Sequence, residues 1–252
     1  MPDQLDDTNA PYDLSSIDKT TLTAVVRQVL NSESAAISNF KYDRVHGGMG
    51  EKEDVISRIY RFTGKANVQN VENNWSLILK VVGTIATQDD PTHPLYWKRE
   101  VLAFQSGQLV NLPGKLTVPS FFGVHTFSEK VLGMWFEHID DKVETHWTLE
   151  QFAMVARQLG QFNGAFLIES DLPSWGWLSQ GWLRKKVEDN YTVGLIDQLR
   201  QSFDQPATQQ WFIGDDANHI LQLWEDQQIF LNALDRLPQT FLHHDAFVRN
   251  LL

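Results

Sequence analysis

The residue types best suited to chemistry lie in the run His243-His244-Asp245-Ala246-Phe247-Val248-Arg249-Asn250. Asp245 and Asn250 stand five residues apart on a predicted loop that follows a helical region. In phosphoryl transfer an aspartate so placed orients or deprotonates the attacking hydroxyl, and an asparagine holds a Mg²⁺ that bridges phosphate oxygens. A polar turn without chemistry is one alternative. A metal site on His243, His244 and Asp245 is another, although adjacent histidines in an extended loop point in opposite directions.

Lys80 is the second candidate, because it lies on a predicted apolar strand where an ammonium needs a partner. Odd positions in the run from Trp75 to Val82 are all apolar, and strand side chains alternate between faces. Lys80 therefore shares a face with Ile78, and it needs an anion or access to water there. It could grip nucleotide phosphates or, on an edge strand, extend its amine to solvent. Glu100, on the next predicted helix, could pair with it.

A glycine turn, His46-Gly47-Gly48-Met49-Gly50, lies between two predicted strands. Glycine lets backbone N–H groups approach phosphates closely, so Gly47, Gly48 and Gly50 are candidate nucleotide contacts. The pattern is neither G-x-G-x-x-G nor a Walker A sequence, and a plain hairpin turn explains it nearly as well.

A sheet followed by helices would have to position these residues. The patterns predict a helix beginning at Ser16 or Asp18, strands at 40–45, 55–62 and 75–82, a helix at 95–108, and strands at 116–124 and 130–139. Residues 64–74 are predicted to be a connection. From about residue 145 the pattern is helical and opens with a capping box of Thr148 and Gln151. We therefore expect an α+β fold with a flexible tail at 1–15, a strand-rich domain at 16–140 and a helical domain at 141–252.

The composition narrows the class of protein. The 252 residues are 42% hydrophobic and include nine Trp and 15 Phe, which is typical of a folded chain with a large core. A formal net charge of −11 disfavours nucleic-acid binding and is compatible with a cationic small molecule, although many soluble enzymes are simply acidic. The absence of cysteine, of a basic signal region and of any long apolar run predicts a cytoplasmic protein without a membrane span.

Taken in order, the glycine turn, the strand lysine, the helix glutamate and the sequence His243-x-Asp245-x₄-Asn250 resemble the aminoglycoside phosphotransferase and choline kinase family. This family is the small-molecule branch of the protein-kinase-like fold, and the resemblance extends over about residues 21–252. It implies two lobes, an N-lobe with an antiparallel sheet and a mainly helical C-lobe. It also implies an ATP- and Mg²⁺-dependent phosphotransferase that acts on a hydroxyl of a small molecule.

The resemblance implies a role for each candidate. Residues Gly47 to Gly50 would cover the nucleotide, Lys80 would contact its α/β-phosphates and pair with Glu100, and Ile78 would line the adenine pocket. Residues Met134, Phe136 and His138 belong to the segment that would form the hinge and meet adenine through backbone groups. Asp245 would be the catalytic base, Asn250 a Mg²⁺ ligand, and His243 a structural residue of the loop.

Two departures from the family pattern matter. His244 stands where the family usually has glycine, and the family's second metal-binding aspartate would lie beyond Leu252. One neutral amide cannot hold Mg²⁺ against water and the triphosphate, so we expect this chain to be incomplete and inactive as given. The alternatives are a nucleotide-binding, pseudokinase-like protein without transfer activity and an interaction domain with accidental motifs.

Overall fold

The computed structural model describes residues 10–45, 55–85, 89–93, 96–140, 147–168, 171–212, 215–243, 245, 246 and 250. A 3-10 helix (Leu14–Ser16) precedes helix α1 (Lys19–Val29) and strands β1 (Ala36–Val45), β2 (Val55–Val68) and β3 (Val71–Thr84). Helix α2 (Arg99–Gln105) and strands β4 (Phe121–Ser128) and β5 (Val131–Glu137) follow. The remaining helices are α3 (Leu149–Ile168), α4 (Trp182–Val187), α5 (Asn190–Ser202), α6 (Pro206–Gln209), α7 (Asp216–Glu225) and α8 (Gln227–Leu234). The fold class is α+β.

The five strands form one antiparallel sheet in the order β1-β2-β3-β5-β4. β4 follows α2 along the chain but lies at the edge of the sheet, and β5 returns into the place beside β3. β3 is therefore a central strand with a neighbour on each side. Lys80, at its middle, lies opposite Ile59 of β2 and Met134 of β5.

The two faces of β3 enter two different apolar clusters. Leu77, Leu79 and Val81 are fully buried on the face that α1 covers. Val82 lies on the other face and packs in a cluster with Trp97, which precedes α2, with Val101 of α2, and with Leu132, Met134 and Phe136 of β5. The predicted alternation along this strand is confirmed, and it places Lys80 on the face that α2 covers.

Most of residues 64–74 is strand, so the prediction of a connection over this whole range is wrong. β2 and β3 pair along their whole length, and only Gln69 and Asn70 form the turn between them. Both have positive φ, 50° and 70°, as in the two-residue hairpin turn whose twist matches that of the flanking strands. The polar residues in this range do not indicate a loop, because polar residues also occupy the exposed face of an antiparallel sheet. On the buried face of the same strand lies Ala66.

The N-terminal segment is tied to the sheet. The carboxylate of Asp18 accepts a hydrogen bond from the Thr21 amide (2.7 Å), so Asp18 caps α1 as one of the two predicted caps. Further upstream, the Tyr12 and Tyr60 hydroxyls lie 2.7 Å apart, and Leu14 packs against the cluster under α1. The described part of the predicted tail therefore packs on the sheet.

Two compact units are present. The first lies within residues 1–91, 96–162 and 243–252, and the second within 92–95 and 163–242. In the second unit the guanidinium of Arg184 on α4 donates to Asp235 (2.6 and 3.1 Å), Asn232 (3.0 Å) and Gln228 (2.9 Å), which joins α4 to α8. The capping box at the start of α3 is confirmed by hydrogen bonds in both directions between Thr148 and Gln151. None of the helices in the described ranges is long and apolar enough to cross a membrane.

Candidate functional site

Lys80 and Glu100 form an ion pair in the unit that contains the sheet. The Lys80 Nζ lies 2.7 Å from Oε1 and 2.6 Å from Oε2 of Glu100, so the ammonium meets both carboxylate oxygens. Their side chains are 26% and 38% exposed, so the pair is partly shielded and still open to a ligand. The geometry follows from the order of elements, because α2 comes directly after β3 and lies on the face from which Lys80 projects.

Apolar side chains surround the pair on the sheet. Ile78 and Val82 flank Lys80 on the same face of β3, since side chains two residues apart on a strand point the same way. Ile78 lies opposite Phe136 in the β3–β5 ladder and packs against the cluster that contains it. Phe104 of α2 contacts Phe136 edge to face at 4.8 Å. A flat apolar ring could therefore find a wall beside the lysine, and Ile78 is its half-exposed part.

The predicted hinge divides into a strand part and a part that follows it. Met134 and Phe136 lie inside β5, which pairs with β3 on one side and β4 on the other, so the ladders take up their backbone groups. The Met134 side chain is fully buried. Backbone groups that could meet a ligand are therefore those after Glu137, of which His138 is the first.

A hydrogen bond of 3.0 Å joins the Ser76 hydroxyl to Nδ1 of His138. Asp140 lies further off, with a carboxylate oxygen 3.9 Å from the same nitrogen. Ser76 shares the Lys80 face of β3, so this contact fixes the start of the segment after β5 against the third strand. Sequence reasoning missed it, because it depends on β5 pairing with β3 and not with its chain neighbour β4 alone.

Asp245 and Asn250 are in direct contact. The Asn250 amide Nδ2 donates to the Asp245 carboxylate (2.6 Å) and to the Asp245 backbone carbonyl (2.9 Å), and the Asp245 amide donates to Nδ1 of His243 (3.3 Å). The amide nitrogen of Asn250 is engaged by these two contacts, which leaves its oxygen as the group that could ligate a cation. Oxygen ligands of this kind suit Mg²⁺. Asp245 and Asn250 belong to the same compact unit as Lys80 and Glu100.

The residue before Glu100 is a cation, Arg99, at the first position of α2. Arg99 donates to the Pro91 carbonyl (3.2 Å), and its guanidinium lies 5.8 Å from the centre of the Tyr96 ring. Burial lowers the pKa of Arg99, but a guanidinium in a protein keeps its charge at neutral pH all the same. Burial raises the pKa of Tyr96, which keeps its phenol protonated.

Other predicted features cannot be placed. Gly47, Gly48 and Gly50 lie outside the described residues, as does His244. Among the residues that the structure describes, no group of three or more His, Asp or Glu side chains comes together to hold a metal ion.

Comparisons with family models, curated proteins and solved structures find no match to this chain.

Proposed function

We propose that this chain binds ATP with Mg²⁺ and belongs to a phosphotransferase that acts on a hydroxyl group of a small molecule. The observation that carries the proposal is the ion pair of Lys80 and Glu100. In protein kinases a lysine on the third strand and a glutamate on the following helix form such a pair, and the lysine contacts the nucleotide phosphates. Here Lys80 lies on the third strand and Glu100 on the helix after it.

The surroundings of the pair support a nucleotide as the ligand. The proposed two-lobe fold needs an antiparallel sheet whose inner face carries the lysine, and β3 is central in such a sheet. Glu100 would hold the Lys80 ammonium in one place, so that little side-chain entropy is lost when a phosphate arrives. Ile78 and the residues after Glu137 would meet the base.

Asp245 and Asn250 would take part in the phosphoryl-transfer step. As the acceptor oxygen bonds to the γ-phosphorus and the bond to the ADP oxygen breaks, Asp245 would take the hydroxyl proton. Asn250 would ligate Mg²⁺ through its amide oxygen while its Nδ2 holds the Asp245 carboxylate in position. When bound, the ion would neutralise charge on the phosphates.

The division of roles between these two residues can be tested by calorimetric titration with ATP in the presence and absence of Mg²⁺. Asp245→Ala should leave ATP affinity within about twofold of the unchanged chain, because a base that acts on the hydroxyl contributes little to nucleotide binding. In a chain extended past residue 252, where a second metal ligand would act with this amide, Asn250→Ala should remove most of the Mg²⁺ dependence. Binding is the primary readout, because the resemblance implies a second metal-binding aspartate beyond Leu252 on which transfer would depend.

Transfer itself is tested with ATP labelled at the γ-phosphate and a panel of hydroxylated metabolites. Mg²⁺-dependent binding together with transfer that Asp245→Ala abolishes supports the phosphotransferase. Mg²⁺-dependent binding without transfer in a chain extended past residue 252 would favour the pseudokinase-like alternative. A folded chain that binds no nucleotide would contradict both.

A further inference from the structure

We infer that β1 is a dimerisation edge, at which two copies of this chain pair antiparallel about Tyr42. The inference does not depend on the proposed function, because no residue of β1 belongs to the proposed nucleotide site.

The edge is open in the part of the chain that the structure describes. β1 is the first strand in the sheet order and pairs with β2 on one side only. Residues 38–43 are all exposed. Such an edge presents a row of backbone N–H and C=O groups to which another strand can bond.

The usable length of the edge has a natural centre. The β1–β2 ladder is irregular between Ile37 and Asn39 and regular from Asn39 to Val45. A second copy needs a regular strand to pair with, so the pairing should fall within these residues. Tyr42 is the middle of this stretch.

A two-fold axis at Tyr42 places opposite charges across from each other. Lys41 of one copy then faces Asp43 of the other, and Asp43 faces Lys41. Both side chains are strongly exposed, 74% and 54%, and lie on one face, with Nζ and Oδ2 3.5 Å apart within a chain. Directly opposite strand residues are close enough to interact, so the interface gains two cross-strand ion pairs.

The other face of β1 carries aromatic rings that fit the same axis. Tyr42 and Phe40 stack on Phe62 with ring centres 5.1 and 6.4 Å apart, yet remain 44% and 36% exposed. About the Tyr42 axis the two Tyr42 rings meet each other. A pair of aromatic rings is attractive in this arrangement. Because the rings already pack on Phe62, little freedom is lost when a second copy covers them.

Neighbouring registers are disfavoured. An axis at Lys41 places two lysines opposite each other, and an axis at Asp43 places two aspartates opposite each other. A slip by one residue would set Lys41 against the aromatic face, because side chains alternate between faces. A lysine on an edge strand normally blocks pairing, so Lys41 would also exclude foreign strands that lack an acid at the matching position.

The mass of the chain in solution tests the inference. We would use sedimentation velocity over a concentration series in about 0.15 M salt, where a Debye length of about 8 Å limits repulsion between chains of net charge −11. A pair of seven-residue strands is a small interface, so we expect a monomer–dimer equilibrium with a Kd of about 10–100 µM.

Charge variants test the register. Lys41→Asp and Asp43→Lys should each weaken dimerisation at least tenfold, because each places like charges opposite one another. The double variant Lys41→Asp/Asp43→Lys exchanges the two charges and should restore it. Lys115→Asp, which makes the same charge change at an exposed residue outside the sheet, should leave the Kd within about twofold. Circular dichroism checks that each variant is folded.

Two results would overturn the inference. One is a monomer at all concentrations up to about 1 mM, where even a very weak interface would form. The other is a dimer whose Kd neither rises with the folded single variants nor recovers in the double variant, because this would place the interface elsewhere.

Discussion

The ion pair of Lys80 and Glu100, which joins β3 to α2, should stabilise the fold more than the ion pair of Lys65 and Glu72, which joins β2 to β3. Both pairs have N–O distances of 2.6 Å. They differ in environment, since Lys80 and Glu100 are 26% and 38% exposed and Lys65 and Glu72 are 47% and 50% exposed. The perturbation is to remove each charge separately and together, with Lys80→Met and Glu100→Gln and with Lys65→Met and Glu72→Gln.

The expected magnitude follows from the geometry. Two unit charges about 3 Å apart attract by about 5 kcal/mol at an effective dielectric constant of about 20. Desolvation and the ordering of two long side chains offset most of this attraction, and where solvent reaches the pair the attraction itself is further screened. We therefore expect a coupling energy of about 1 kcal/mol for Lys80–Glu100 and about 0.3 kcal/mol for Lys65–Glu72.

The assay is a pair of double-mutant cycles. Urea unfolding would be followed by tryptophan fluorescence, since Trp97 and Trp135 each pack in one of the two apolar clusters of the sheet. The free energy of unfolding for both single variants and the double variant gives the coupling in each pair. If the coupling of Lys80 with Glu100 is no larger than that of Lys65 with Glu72, the reasoning from partial burial is refuted.

Three further predictions concern single positions. Gly64→Ala should destabilise the sheet by about 1–3 kcal/mol, because the new Cβ would collide with the Asn39 carbonyl and lie 2.6 Å from Cζ2 of Trp75; thermal unfolding measures this. Burial holds the pKa of His125 below its ordinary 6.5, so the unfolded chain binds a proton that the folded chain does not, and stability should fall as the pH drops through 6.5; melting temperatures at pH 7.5 and 5.5 check it. Arg184→Lys should lower the melting temperature of the second compact unit, since an ammonium cannot reach all the Arg184 acceptors at once.

Each of these three has a control. Gly164→Ala, in α3 where the added carbon meets open space, should stabilise by up to about 1 kcal/mol, and a loss as large as that of Gly64→Ala would contradict the steric argument. His125→Gln should lose less stability between pH 7.5 and 5.5 than the unchanged chain, and an equal loss would assign the effect to other groups. Arg157→Lys, at an exposed position of α3, should change the melting temperature little, and an equal drop would count against the Arg184 contacts.

Much of the sheet could be predicted from local pattern, because alternation along a strand is a property of that strand alone. The apolar odd positions around Lys80 predicted correctly which face of the sheet carries its side chain. The first residue of β4 was not predicted correctly. The sequence predicts that strand from residue 116, whereas it begins at Phe121. Pro119 has no N–H to donate to a ladder, which is a physical reason for the later start.

The candidate site was predictable in part, because the pairing of Lys80 with Glu100 was suggested from the order of strand and helix and the two side chains do form an ion pair. Asp245 and Asn250 are five positions apart, so their spacing could suggest a shared site, but their direct contact is seen only in the structure. The contact between Ser76 and His138 depends on which strands are neighbours, and no local pattern states that β5 lies beside β3. The two-residue turn at Gln69 and Asn70 was missed for a related reason. A polar stretch forms a strand when another strand pairs with it, and the local sequence does not show that pairing.

The affinity for ATP with Mg²⁺, measured by calorimetry on the unchanged chain, Lys80→Met and Lys65→Met, tests the central claim most directly. A contact between an ammonium and phosphate contributes about 1.5–3 kcal/mol, so Lys80→Met should bind ATP roughly 10–150-fold more weakly. Lys65→Met, which removes the lysine of the other ion pair, should bind like the unchanged chain. Equal affinity for all three proteins, or no binding by the folded unchanged chain, would contradict the assignment of Lys80 to a nucleotide site.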